Sequence, residues 1–241
     1  MNYFAIQHSM NAKIVGKIPH TKEVLHNCHV WNEPRFIDRL RFQKIVGMPI
    51  LSNALLFPKA KLTDFINTYN VIGFSNSMLI SDKFKTVLEK FNVSGLQYFK
   101  TFLIYNNEKI QNYWQTHNFL FAYEYIDFDK TVFSIKEYKE NGNVDKKDIK
   151  FTNLNEFINL TETLEPPKML FIKSFFFNIH MNLDYFTLRY TESCHDGIVS
   201  EKLKKEIEKE GITGIEFRPI ELSLNEWLMP GGERERIYGR S

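Results

Sequence analysis

Ser81-Asp82-Lys83-Phe84-Lys85-Thr86-Val87-Leu88-Glu89-Lys90-Phe91-Asn92-Val93-Ser94-Gly95-Leu96-Gln97-Tyr98 aligns without a gap with Ser200-Glu201-Lys202-Leu203-Lys204-Lys205-Glu206-Ile207-Glu208-Lys209-Glu210-Gly211-Ile212-Thr213-Gly214-Ile215-Glu216-Phe217. Each copy opens on a serine, a preferred helix N-cap, followed by an acid that suits the positive helix start. Phe84, Val87, Leu88 and Phe91 in the first copy, and Leu203 and Ile207 in the second, recur at helical spacing and mark a core-facing stripe. Asn92 and Gly211 stand where a helix terminates in the left-handed region, which glycine enters without penalty. Short apolar runs precede both serines (Met78-Leu79-Ile80 and Gly197-Ile198-Val199), and apolar stretches follow over Val93–Ile104 and Ile212–Ile220. Both copies therefore read strand, helix, strand, over about 78–104 and 197–220. The unit holds no nucleophile, no acid–base pair and no metal spacing, so the most ordered signal in the chain concerns shape.

Working outward, Asn106-Asn107 and Asn141-Gly142 each separate two strand-like runs and predict tight hairpins. Phe171–Phe177 and Tyr185–Tyr190 also read as strands. Leu154, Phe157, Ile158 and either Leu160 or Thr161 mark a short amphipathic helix, and Leu62, Phe65 and Ile66 a second one after Pro58. Phe36–Gly47 reads as a short helix or an irregular stretch. Hairpins without alternating long helices exclude a doubly wound parallel sheet. The fold class expected is α+β: a single domain over residues 1–229, with a mostly antiparallel, hairpin-linked sheet and short packed helices. Residues 230–241, opened by Pro230-Gly231-Gly232, read as a polar, flexible tail.

The 241 residues suffice for a large core without a disulfide or metal staple, and 22 Phe and 11 Tyr supply it generously. Net charge is +2 but unevenly spread: +5 over residues 1–75, +1 over 76–152 and −4 over 153–241. Such polarity can orient a charged partner but lacks the concentrated basic stripe of a nucleic-acid binder. Two distant cysteines suit a reducing compartment. No signal peptide or membrane-length apolar run is evident, so a soluble cytoplasmic protein is expected, with no nucleic-acid or membrane partner.

Cys28-His29 with His26, and Cys194-His195, are the pairs that invite a zinc or thiol-catalysis reading. Neither has the spaced ligand pair of a zinc knuckle, and adjacent residues rarely face one another as nucleophile and base, so no metal, cofactor or catalytic residue is assigned. The Lys- and Glu-interleaved stretch Glu201–Glu210 reads as an exposed, salt-laced helix face. Phe119–Phe128 alternates as a strand would, with Ala122, Ile126 and Phe128 facing a core. Tyr123, Tyr125, Asp127 and Asp129 then share the solvent face, and tyrosine beside charge is a common contact composition.

Trp31–Ile37, Ala60–Phe65, Leu79–Lys85, Tyr125–Lys130 and Ile198–Phe217 together resemble immunity protein family eleven, whose bacterial members neutralise a polymorphic toxin made by the same strain. The resemblance covers most of the chain and is weakest over the first thirty residues. It implies a non-enzymatic α+β binder without a cofactor, whose partner is the cognate protein toxin. It carries no toxin-contact residues, so Tyr123, Tyr125, Asp127 and Asp129 rest on their own reading. The alternatives are an enzyme using Cys194 and His195 or the acidic strand, and a scaffold for a partner that is not a toxin.

Overall fold

The computed structural model describes residues 2–69, 71–75, 77–178, 180–192 and 194–240, with no side chains for residues 194–196. In chain order the elements are β1 (Tyr3–His8), α1 (Ala12–Val15), β2 (Thr21–His26), β3 (Ser52–Leu56), β4 (Phe65–Ile66), β5 (Leu79–Ser81), α2 (Asp82–Leu88), β6 (Leu96–Tyr105) and β7 (Glu108–Asn118). There follow β8 (Val132–Tyr138), β9 (Val144–Ile149), α3 (Leu154–Thr163), β10 (Lys168–Ser174), β11 (Tyr185–Thr191), β12 (Cys194–Ser200), α4 (Glu201–Lys209), β13 (Ile215–Pro219), α5 (Leu224–Leu228) and α6 (Glu233–Tyr238).

The strands form two sheets, ordered β13-β1-β12-β11-β10-β8-β9 and β2-β3-β6-β7-β5-β4. Parallel neighbours occur only at β10–β11 and β3–β6 among the described residues, so the α+β, mostly antiparallel expectation holds.

Both repeated segments are strand–helix–strand: β5-α2-β6 and β12-α4-β13. Ser81 Oγ accepts the Phe84 N–H at 3.1 Å and Ser200 Oγ accepts the Leu203 N–H at 3.2 Å, the caps expected from the sequence. The likeness extends beyond the aligned stretch. In each unit the strand before the helix and the strand after it flank a third strand antiparallel to both: β7 in the first, β1 in the second. The neighbouring strand is also equivalent, with Phe65 opposite Ile80 and Tyr185 opposite Val199. The middle strand follows its unit in one case and opens the chain in the other, so the two units differ by a circular rearrangement of strand order.

Two aspartates tie the units together crosswise. Asp64 accepts the Ser81 hydroxyl at 2.6 Å and the Thr213 N–H at 2.8 Å, the latter from the loop after α4. Asp184 accepts the Ser200 hydroxyl at 2.7 Å and the Asn92 N–H at 3.2 Å, the latter from the loop after α2. Each carboxylate thus braces one unit's helix cap and holds the other unit's helix exit. Gly95 and Gly214 occupy equivalent corners at positive φ; a Cβ on Gly214 would lie 2.5 Å from the Phe65 carbonyl, and one on Gly95 2.6 Å from Leu120. Between the units, Phe84, Val87 and Leu88 of α2 and Leu203 and Ile207 of α4 share one core with Ile6, Ile80, Val199 and Phe217. The outer α4 face carries the ion pairs expected of it, including Lys204–Glu208 at 2.7 Å and Lys205–Glu201 at 2.8 Å.

Several local expectations are corrected. Leu62–Asn67 is no helix: Phe65 and Ile66 form β4, where cross-strand pairing to Ile80 and Leu79 outweighs helical spacing, and Leu62 is exposed. Asn92 does not enter the left-handed region; Gly95 makes that turn at φ 67°. Asn106 and Asn107 do, at φ 50° and 66°, forming the β6–β7 hairpin turn as predicted. The β8–β9 loop is longer than a two-residue turn, because the Lys139 N–H donates to the Asn143 carbonyl at 2.9 Å and leaves 140–142 between them. The 230–241 stretch is not a free tail over α6. Arg234 is 3% exposed and pairs with the buried Glu216 at 2.7 and 2.9 Å, while the Tyr238 hydroxyl accepts the Phe217 N–H at 2.8 Å. A sequence dominated by charge hid an anchor, since arginine is buried only where a partner awaits it.

Candidate partner-binding surface

The alternation over Phe119–Phe128 predicts a strand with two faces. The chain instead turns: Tyr123–Tyr125 is a 3-10 helix, the Asp127 N–H donates to the Phe176 carbonyl at 2.8 Å, and the Thr131 N–H donates back to Asp127 at 3.0 Å. Pairing is confined to one antiparallel bridge, Ile126 with Phe177, so the two-residue period is lost. Ala122 and Ile126 are buried as expected, but Tyr123 is drawn in beside them, 5.0 Å from Phe157 of α3. Its hydroxyl is buried, and that burial pushes its pKa up. Tyr125 is half-buried against the same core. Asp127 pairs with Lys130 at 3.0 Å, and that hydrogen bond holds its carboxyl below the usual range. Only Asp129 of the four is exposed, so they do not form one open face.

The ring contacts lead elsewhere. Phe133, Phe128, Phe157, Tyr123, Phe121 and Phe42 form a continuous chain with centroids 5.0–6.1 Å apart. Its outer end is covered by the Arg189 guanidinium, which lies 3.6 Å from the Phe42 ring centroid, 4.8 Å from Tyr190 and 5.5 Å from Phe121. A cation over an aromatic face is favourable by about 0.5–1 kcal/mol at exposed sites and more when dry. Phe42 and Tyr190, on either side of Arg189, both have φ 63°, a conformation that bulky side chains avoid unless the surroundings impose it.

The surroundings do so here. The Gln97 amide clamps Ile45, accepting its N–H at 2.8 Å and donating to its carbonyl at 2.9 Å, while His117 Nε2 lies 2.9 Å from the Gln43 carbonyl. The 41–48 loop is thereby fixed to the ends of β6 and β7 by its backbone and by buried Ile45. Its other side chains point out: Val46 is 97% exposed and Met48 60%, with Leu120 at 54% beside Phe121. Arg39, Arg41 and Lys44 are exposed on the same loop, and no Asp or Glu occurs between Asp38 and Asp64. The result is an apolar patch rimmed by cations, on a backbone held in place. The sequence signal was the alternation of basic and apolar residues over 39–48.

Cys28 is partly exposed, and its thiol is pushed up by burial and by Glu33, the wrong direction for a nucleophile. His26 Nδ1 lies 2.9 Å from Ser52 Oγ. The Cys194 and His195 side chains lie outside the described residues. Among the described residues no group of three or more His, Cys, Asp or Glu is placed to hold a metal ion, and no helix is long and apolar enough to cross a membrane.

A model of the immunity protein family (Imm11) matches residues 47–222. The chain belongs to that family. The match spans both repeated units, the two aspartate ties and Arg189, and it leaves out Trp31–Ile37, Phe42 and α6. No curated protein matches the chain.

Proposed function

We propose that this Imm11 protein neutralises a cognate bacterial polymorphic toxin by binding it in the cytoplasm and covering its active cleft, without catalysis. The observation that carries the reading is the Phe42–Arg189 patch: exposed apolar groups on a fixed loop beside an aromatic-stacked arginine of β11, in a member of an immunity family. Arginine and aromatic residues dominate binding energy at protein interfaces because they bury much area at small entropic cost. A standard interface buries roughly 800 Å² per partner, so the patch would form its centre with polar surroundings as rim. The cationic rim favours an acidic toxin surface and fast, salt-sensitive association. In this reading Tyr123 supports the patch from beneath, and Tyr125, Asp127 and Asp129 contribute at its margin. Co-expression with a candidate toxin tests the proposal: growth rescue together with co-purification is expected. Rescue without a physical complex would refute occlusion.

A further inference from the structure

On the face of the seven-stranded sheet opposite the aromatic core, Ser134, Lys136, Lys146, Asp148, Lys173, Glu192, Ser223 and Asn225 enclose a cavity of about 370 Å³. That volume lies in the range of small-ligand sites. Lys136 of β8 and Lys146 of β9 are directly opposite one another in the register. Like charges so placed repel, and neither lysine has a carboxylate within 4.0 Å among the described residues. Lys136 Nζ instead lies 4.1 Å from the Phe171 ring centroid. The two carboxylates that line the cavity are engaged. Asp148 holds Lys173 at 3.3 Å, and Glu192 accepts the Leu224 N–H at 2.9 Å. The floor supplies a second, independent observation: Ser134 is 2% exposed, and its hydroxyl finds no hydrogen-bond partner. A buried hydroxyl that no protein group satisfies is open to a bound water or ion.

We propose that this cavity binds the phosphate group of a small ligand, with Lys136 and Lys146 supplying charge and Ser134 a hydroxyl at the floor. A phosphate dianion answers both anomalies at once, screening the opposed lysines and accepting a hydrogen bond from the buried hydroxyl. Lysines recognise phosphate as point charges and need no bidentate geometry. The site is separate from the Phe42–Arg189 patch and does not depend on the toxin-binding reading. The phosphate could be free or carried by a nucleotide, and the volume leaves room for an organic body beyond the phosphate.

The test is an amide-shift titration of the full chain with inorganic phosphate, uridine monophosphate and acetate, at matched ionic strength. Saturable shifts at Ser134, Lys136, Lys146, Lys173 and Asn225 are expected with the first two probes. Lys136→Gln with Lys146→Gln should weaken both by at least tenfold, as expected for losing two charge-assisted contacts. Ser134→Ala should weaken them by about threefold, the loss of one net hydrogen bond. Tighter binding of the nucleotide than of phosphate would assign the organic body to the cavity, and equal binding would assign the site to the bare oxyanion. Unsaturable shifts, equal binding by the double variant, or acetate matching phosphate would overturn the proposal. Should the double variant fail to fold, Lys146→Gln alone must show the weakening.

Discussion

Asp184→Ala removes the tie between the second helix cap and the exit of the first helix. Asp184 is 7% exposed and accepts the Ser200 hydroxyl at 2.7 Å and the Asn92 N–H at 3.2 Å. Ser200 is fully buried, so its hydroxyl cannot turn to water once the carboxylate is gone. Hydrogen bonds to a charged acceptor contribute roughly 1.5–3 kcal/mol each, and the longer Asn92 contact falls at or below the bottom of that range. Together they predict a loss of about 3 kcal/mol. For a domain of this size that lowers Tm by about 9 °C. Ser200→Ala, which removes the Leu203 cap and one of the Asp184 donors, should cost less, about 1–2 kcal/mol. Urea denaturation gives the magnitudes. Hydrogen exchange gives the location: the Asn92–Ser94 amides, distant in sequence, should lose protection in Asp184→Ala. A loss below about 1 kcal/mol, or protection unchanged at Asn92, would refute the crosswise tie.

Arg234→Ala should cost about 3–5 kcal/mol, because it strands the buried Glu216 carboxylate, whereas Lys205→Ala on the exposed α4 face should stay within about 0.5 kcal/mol; paired thermal melts decide this. Burial holds His8 down to about 3 and His20 down to about 4, with the neighbouring His20 charge adding to the effect on His8. Both folded values lie below the unfolded one, so this contribution is complete above about pH 6.5 and is lost as pH falls, with a slope approaching ~2.7 kcal/mol per unit between pH 6 and 4. His20→Asn should about halve that slope in urea melts across the window. Tyr125→Ala with Asp127→Ala should leave the protein folded and reduce toxin affinity several-fold as a marginal contact; thermal collapse, or affinity equal to wild type, would remove these residues from the surface.

What was legible in the sequence was local. Ser81 and Ser200, each followed by an acid and a helical stripe, fixed two caps and two helices that the structure reproduces. Asn106-Asn107 fixed a hairpin, because its backbone demand is met within the turn itself. What was not legible depended on partners far along the chain. Phe65 and Ile66 have helical spacing with Leu62, and only pairing to Leu79 and Ile80 makes them strand. Asp64 and Asp184 look like ordinary surface acids until residues 149 and 92 positions away are brought to them. Tyr123 alternates with the core side chains on paper, yet the 3-10 turn rotates it inward against Phe157. Arg189 carried no signal of its own, since its partners are Phe42 and Phe121, on other elements.

The central claim is that the Phe42–Arg189 patch is the centre of a toxin-binding face. Its most direct test is the dissociation constant of the toxin complex for wild type, Phe42→Ala and Arg189→Glu, each checked for an unchanged melt. Hot-spot truncations cost about 2 kcal/mol or more, so Phe42→Ala should weaken binding at least ~30-fold. Arg189→Glu, which reverses charge at the centre, should abolish both binding and growth rescue. Wild-type affinity in both folded variants would contradict the account and place the toxin on another face.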